Sequence, residues 1–439
     1  MDSQPQTNGH KPLHVLILSD RDWTHPQGGG TGTNLYGQVS RWIAWGHRVS
    51  VIACSYPGAA PVERRGPLTL HRVGGRSTVF PRAILRQWRG LVPDADVVLE
   101  VVNGITFLTP VWLRVPRLTL VHHIHRDHYV REMGRLGRVA AFMLETLPLR
   151  LLYRRSRFLT ISRASAEGIA AAGIPRERIE VGYIGVELGA FAPDAAARAE
   201  RPTLLYLGRL KRYKRLEVLL EVLERNPDAV LEIAGDGDHR AALEAEIDER
   251  GLRSRVRLHG HVSEERKREL YQRAWLNVTA SSAEGWCLSV MEAAACGTPS
   301  AALAVGGLAE SIDDGRTGAL AADTVELAER VQAILRDAEL RDSLGQAALE
   351  RAAEFGWDAT AAHTLRLLQE ERARWLREHA PAASPVAGPS PAPRSAQALA
   401  GNGTAPEAGE GEPGPTAAET QDREPVPTAA DSQVPAPRA

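Results

Sequence analysis

Short, almost unbroken apolar runs alternate along the chain with longer stretches whose apolar residues recur every three or four positions. The runs LHVLILS (13–19), RVSVIA (48–53), DVVLEVV (96–102), RLTLVHH (117–123) and RFLTIS (157–162) read as strands covered on both faces, because a half-exposed strand would alternate apolar with polar. Between the first two, TNLYGQVSRWIAWG (33–46) puts Leu35, Val39 and Trp42/Ile43 on one helix face, with Gly46 placed to cap the C-terminus. The pattern restarts at PTLLYLG (202–208) and runs through AVLEIAG (229–235), RVRLHG (255–260), LNVTA (276–280) and PSAALA (299–304). Two βα series in tandem predict an α/β chain of two doubly wound, Rossmann-like domains, each with ligand crevices at its strand C-termini. The natural site is the central cleft between them. The expected division is 12–190 and 191–356, with the junction in LGAFAPDAAARAERP (188–202) and a final helix at 357–379 that can cross back onto the first domain.

Composition narrows the classes. From about 380 to 439 the chain is mostly Ala, Pro, Gly, Ser, Glu and Thr, with no Ile, Phe, Trp or Tyr. Such a segment buries too little apolar area to offset its ordering entropy, so a disordered tail is expected, and residues 1–11 are expected to be disordered too. The NGT at Asn402 is a glycosylation sequon by pattern and, in a cytoplasmic tail, a chance match. Apolar residues make up 43% of the 439, ample for two cores, and a formal net charge of −1 provides no field to gather nucleic acid. Cys54, Cys287 and Cys296 lack CxxC spacing, which argues against a disulfide framework or a structural zinc site. The start of the chain lacks the apolar stretch of a secretory signal, and no apolar run approaches the ~20 residues of a membrane span. The expected location is the cytoplasm, with peripheral contact at the inner face of the membrane left open.

The most informative stretch is EGWCLSVMEAAACG (284–297). On one helix its two acids, Glu284 and Glu292, would stand roughly 12 Å apart along the axis, too far to share a proton or a metal ion. If a helix begins between them, the space they flank is its N-terminus, an anion site. Amides near Leu288 and Ser289 would hold negative charge there, while each carboxylate accepts from a pair of adjacent hydroxyls. Diol, phosphates and polyol together describe a sugar nucleotide. LGRLKRYKR (207–215) follows the first strand of the second series, and its Arg209 fork and Lys214 ammonium suit a diphosphate; a solvated basic loop is the plainer alternative. GGGTGTN (28–34) offers backbone amides at a helix start or is simply a flexible turn, and it lacks the full dinucleotide fingerprint. AGDGDHR (234–240) is a similar, weaker glycine turn. TLVHHIHRDH (119–128) crowds four histidines, yet His122 and His123 point oppositely in a strand and no partner has zinc spacing. One histidine lining the cleft is the expected use.

With these residues the chain, from about 12 to 378, resembles the family-4 retaining glycosyltransferases of the glycosyltransferase-B fold. EAAACGTPSAALAVGGLAESIDDGRTG (292–318), GRLKRYKRLEVLL, LEIAGDGDHR, LHGHVSEERKRELYQRAW and TISRASAEGIAAAGIPRERIEVGYIGVEL carry the likeness. Ile184-Gly185 stands where the family usually has Asn-Gly, and Lys214-Arg215 where it has Lys-Gly. The resemblance implies that Glu292 binds the ribose hydroxyls of the donor and Glu284 those of its sugar. Arg209 and Lys214 would hold the diphosphate as it leaves, helped by the amides of Leu288 and Ser289. His261 and Val262 would lie near the base, with Gly208, Gly235 and Cys287 completing the donor pocket. Gly29, Gly30 and Thr31 would approach the donor phosphate or the acceptor from the other domain. His122, or His123 one register step away, would meet the 6-position of the sugar.

The implied reaction moves a hexose from a nucleotide diphosphate sugar to a hydroxyl of a carbohydrate or lipid-linked acceptor, by front-face displacement, with no cofactor and no metal. Two alternatives are a non-catalytic sugar-nucleotide or glycan-binding module and a sugar-nucleotide epimerase of the same architecture. In the first domain Arg82, Arg86, Arg89, Arg126, Arg131, Arg135 and Arg138 gather near Leu85, Trp88 and Phe142. This describes either a solvated basic face or one that rests on an anionic membrane near a lipid-linked acceptor.

Overall fold

The computed structural model describes residues 11–380; the expected disordered ends and Asn402 lie outside them. The first series runs β1 (His14–Leu18), α1 (Gly29–Ala44), β2 (Arg48–Ala53), β3 (Val62–Arg65), β4 (Leu68–Arg72), α2 (Val79–Trp88), β5 (Val97–Val102), α3 (Thr109–Trp112), β6 (Arg117–Val121), α4 (Arg126–Ala141), α5 (Leu147–Leu151), β7 (Arg157–Thr160), α6 (Arg163–Ala171) and β8 (Ile179–Val181). The second runs β9 (Thr203–Leu207), α7 (Leu216–Glu224), β10 (Val230–Ala234), α8 (Arg240–Glu249), β11 (Val256–Gly260), α9 (Glu264–Arg273), β12 (Leu276–Thr279), α10 (Leu288–Ala295), β13 (Ser300–Leu303), α11 (Leu308–Ser311), β14 (Gly318–Ala321), α12 (Thr324–Arg336), α13 (Ala338–Ala353) and α14 (Trp357–Glu378). In α4 the described side chains are Tyr129 and those from 134 onward, so Arg126, His128 and Arg131 fall outside them.

The strands form two sheets, ordered β3-β4-β2-β1-β5-β6-β7-β8 and β11-β10-β9-β12-β13-β14, parallel throughout except for the antiparallel pair β3–β4. In each sheet the direction of winding reverses beside the first strand of its series, between β1 and β5 and between β9 and β12. Loops leaving those strands diverge there and open a crevice. The loop after β1 leads to Gly28–Thr31, that after β9 carries Arg209 and Lys214, and that after β12 carries Glu284. Topology alone therefore brings the sequence's three best motifs to the sheet ends where ligands bind.

Alternating strand residues split the first core in two. Val15, Ile17, Val49 and Val51 pack against α1 and α14, while Leu16, Leu18, Ile52 and Val98 pack against α2 and Phe107. On α1 the expected stripe is buried at Leu35, Val39 and Trp42, and Gly46 takes a left-handed φ of 87° just past the helix. The helix begins at Gly29, four residues before the expected start, so the glycines form its first turn.

The last helix does cross back. Ala361, Leu365, Leu367 and Leu368 of α14 lie in the first domain's core, and Trp42 donates its indole N–H to the Ala361 carbonyl at 2.9 Å. A Cβ at Gly37 would stand 2.3 Å from the Trp357 ring, so α1 can meet the entry of α14 only because that position has no side chain. Arg41 closes the same joint, reaching Glu187 at 2.8 Å and Asp358 at 3.0 Å.

Candidate active site

Helix α10 starts at Leu288, between the two acids, so Glu284 lies in the loop at its mouth and Glu292 on its second turn. The amides of Leu288 and Ser289 precede the helix's own ladder and face that mouth, while Val290 N–H donates to the Cys287 carbonyl at 3.1 Å. Cys287, just before it, holds a left-handed φ of 78°, a conformation that strains any residue with a Cβ. Burial pushes the Cys287 thiol up to about 11, so it stays a neutral thiol. The loop is braced from behind: Gly307 N–H donates to the Glu284 carbonyl at 2.8 Å. A Cβ on Gly307 would lie 2.1 Å from the Gly285 carbonyl oxygen, and one on Gly306 2.5 Å from that of Glu284. The Gly-Gly turn after β13 is thus the backing plate of the acid loop.

Each acid has a cationic partner. Lys214 Nζ donates to Glu284, which also accepts from Ser281 Oγ at 2.7 Å. Burial alone would lower the Lys214 ammonium; the Glu284 carboxylate, with the Tyr206 and Tyr213 hydroxyls, outweighs it and holds the ammonium well above the ordinary lysine range. Arg215 follows in the left-handed region at φ 53°, the conformation a glycine would adopt freely. Glu292, 8% exposed, accepts from Tyr271 Oη at 2.9 Å and from Lys267 Nζ at 3.2 Å. Each of its oxygens keeps a second lone pair for a hydroxyl.

Arg209 reaches across the cleft: a Cβ on Gly29 would lie 3.7 Å from its guanidinium carbon. Gly29 and Gly30 are exposed and Thr31 half-buried at the start of α1. The loop leading there is pinned by a buried ion pair, Arg72 Nε to Asp22 Oδ2 at 2.8 Å. Gly208 and Gly235 belong to two loops in close contact, since a Cβ on Gly235 would meet the Gly208 carbonyl oxygen at 2.0 Å. His261 is exposed, and half-buried Val262 packs on the core below Glu292's helix.

The histidines separate. His123 is exposed and stacks on His125 at 4.2 Å, and His125 pairs with buried Glu145 at 3.3 Å. His122 is 5% exposed. Gln38 donates to Asn34 Oδ1 at 2.8 Å, which turns the Asn34 amide nitrogen to His122 Nε2 at 3.1 Å. Nε2 therefore accepts and Nδ1 carries the proton, with no partner for it among the described residues. Burial, reinforced by His125, depresses His122 to about 4. The unfolded chain takes up this proton near 6.5, the folded chain only near 4, so stability falls as pH drops through that window. At pH 5 His122 costs about 2 kcal/mol. Thermal midpoints at pH 7 and pH 5 should therefore differ less in His122→Gln than in the unsubstituted protein; an equal difference would show that another group carries the acid sensitivity.

The two domains touch around this site. Glu310, on α11 of the second, accepts from the Arg163 and Ala164 amides at 2.8 Å each, capping α6 of the first. Tyr183 Oη donates to the same carboxylate at 3.1 Å, and Trp286 Nε1 donates to the Ile184 carbonyl at 3.1 Å.

Of the residues singled out in the sequence, Lys214 and Glu284 bond each other, Cys287, Leu288, Ser289 and Glu292 lie on or beside α10, and Arg209 stands against Gly29 of the other domain. Lys267, Tyr271, Asn34, Gln38 and Glu310 went unnoticed. Lys267 and Tyr271 stand four apart on α9, on one face, and that spacing is the only local sign of them.

Residues 191–351 match the family described as glycosyl transferases group 1, and residues 28–190 match glycosyltransferase family 4. A D-inositol 3-phosphate glycosyltransferase of Paenarthrobacter aurescens is 32% identical over 216 residues, 45% of this chain and 53% of that one. The chain spans about half the length of the curated relatives it matches. A sucrose-phosphate synthase of Thermosynechococcus elongatus has the same fold, with a TM-score of 0.71 at 22% identity over 82% of this chain and 99% of the other. HepE of Anabaena, solved with UDP-glucose, gives 0.64 at 16% identity over 82% and 100%.

Proposed function

Because the chain belongs to the group 1 glycosyl transferases, with a family 4 domain preceding the group 1 domain, we propose that it moves a hexosyl group from a nucleotide diphosphate sugar to a hydroxyl of a carbohydrate or lipid-linked acceptor, retaining the anomeric configuration. The observation that carries this reading is the start of α10 between Glu284 and Glu292, with Lys214 bonded to Glu284 and Arg209 standing against Gly29 of the other domain. Residues 191–356 take the donor and 12–190 the acceptor.

Glu292 holds the ribose diol and Glu284 the sugar hydroxyls. As the glycosidic bond lengthens, charge grows on the diphosphate, and Arg209, Lys214 and the Leu288 and Ser289 amides hold it. Donors fixed beforehand need no reorganisation at the moment of reaction, which makes such a site effective. The leaving phosphate takes the acceptor proton on the face it vacates. His122 Nδ1–H donates to a sugar hydroxyl. The charge of the diphosphate falls wholly to these groups, so the reading includes no metal ion. UDP-glucose bound to HepE makes uridine donors the first to try.

A thermal-shift panel of UDP-, GDP- and ADP-sugars and their bare diphosphates, with and without chelator, tests the reading. A donor at a hundred or more times its dissociation constant should stabilise by ~2–4 kcal/mol, with chelator making no difference. Turnover of that donor should release free nucleotide diphosphate and give a product of unchanged anomeric form. Stabilisation by no member of the panel would remove the donor site; stabilisation without turnover would leave a binding module.

A further inference from the structure

The first domain's outer helical layer carries most of the molecule's exposed apolar side chains. Of sixteen such large residues among those described, three lie on α2 and its exit, one on α3, and seven between Leu136 and Leu152. Helices α2, α3, α5 and α6 pack on one face of the first sheet, opposite α1 and α14, and α4 runs into α5 through a short turn. The exposure is not incidental there: Trp88 is 78% and Leu136 73% exposed. Along the end of α4 and into the turn after it, the exposed positions Leu136, Val139, Phe142 and Met143 recur at three- and four-residue spacing. A π-helical turn over Phe142–Thr146 then leaves three consecutive apolar residues, Phe142, Met143 and Leu144, facing out. A patch of this size on a water-soluble surface marks something that covers it.

The charges around it say what. From 134 to 155 the sequence holds five arginines and a single acid. All five, Arg135, Arg138, Arg150, Arg154 and Arg155, are exposed, while the acid, Glu145, is buried against His125. Arg82, Arg89 and Arg114 extend the same sign along the layer. Long basic side chains around an apolar face fit a surface that is negative outside and apolar within. The chain's own ends are poor occupants: residues 381–439 hold no aromatic residue and only four Val or Leu. Among the described residues no helix is long and apolar enough to cross a membrane.

We propose that this layer, centred on α4 and α5, docks on an anionic phospholipid bilayer, with Phe142, Met143 and Leu144 entering the acyl boundary and the arginines pairing with phosphate headgroups. Helix α4 begins one residue after His125 and four after His122, so docking sets that edge of the cleft at the membrane surface. The inference does not rest on the transfer reading, and its readout is physical binding rather than activity.

The test is sedimentation of the full chain with vesicles of phosphatidylcholine alone and of phosphatidylglycerol alone. Binding to phosphatidylglycerol should exceed that to phosphatidylcholine by about tenfold or more and weaken with salt. Arg135→Glu/Arg138→Glu should lose about tenfold or more, and Leu136→Ser/Phe142→Ser should lose binding that salt alone does not remove. Both pairs are exposed, so their thermal midpoints should match the parent, which keeps a loss of binding interpretable. Equal affinity for both vesicles, or unaltered binding by both variants, would overturn the proposal. So would a concentration-dependent dimer that the Leu136/Phe142 variant abolishes while vesicles bind nothing, since the face would then cover a second copy.

Discussion

Lys214→Ala lowers turnover by about two to three orders of magnitude, the usual loss when one preorganised donor to a developing negative charge is removed. It also destabilises the fold. Lys214 and Glu284 are both largely buried and bonded to each other, and deleting one partner of such a pair leaves the other charge uncompensated, at a cost of about 3 kcal/mol. The two effects separate in the double variant Lys214→Ala/Glu284→Ala. There the stranded carboxylate is gone and the thermal midpoint recovers, while turnover stays low because the diphosphate lacks its cation and the sugar lacks the Glu284 carboxylate. Recovery of turnover along with stability would reduce Lys214 to a counter-charge for Glu284.

Glu292→Ala weakens donor binding by about a hundredfold. Two hydroxyl donors to an ionised carboxylate contribute about 1.5 kcal/mol or more each, and ~3 kcal/mol corresponds to that factor. The ribose is common to the intact donor and the bare nucleotide diphosphate, so calorimetry should show the same loss for both. Glu292→Gln keeps an acceptor for Tyr271 Oη, now at 2.9 Å, and should retain part of the affinity. An unchanged dissociation constant for the diphosphate in Glu292→Ala would confine Glu292 to holding Lys267 and Tyr271.

What the sequence revealed follows the range over which each interaction acts. Strand β2 was legible to the residue, at 48–53, because an unbroken apolar run is a local mark of a strand covered on both faces. The pair β3–β4 went unread: VERR is an exposed edge and offers no apolar run, and β4 is a strand mainly by virtue of its pairing with β2. GALA at β14 lacks the β-branched residues that betray a strand. In the site, a helix starting between the acids was one of two geometries the spacing allowed, and the structure shows that one. The partners of those acids were not legible. Lys267 lies 25 residues from Glu292 and Lys214 lies 70 from Glu284, and a long-range ion pair leaves no periodic trace in either segment. The buried Arg72–Asp22 pair is silent for the same reason. Of the histidines, pattern could name only two neighbours; burial against Asn34 separates His122 from exposed His123.

Residues 306 to 311 perform two tasks within a few ångströms. Gly306 and Gly307 back the Glu284 loop, and Glu310 caps a helix belonging to the other domain. Parting the domains would strand two amides and free the segment that shapes the acid loop. If a ligand on Glu284 favours the joined domains, approach of the domains raises affinity for that ligand by the same factor, because coupling between two equilibria is reciprocal. Contact between the domains and the shape of the Glu284 loop are thus coupled through one short segment.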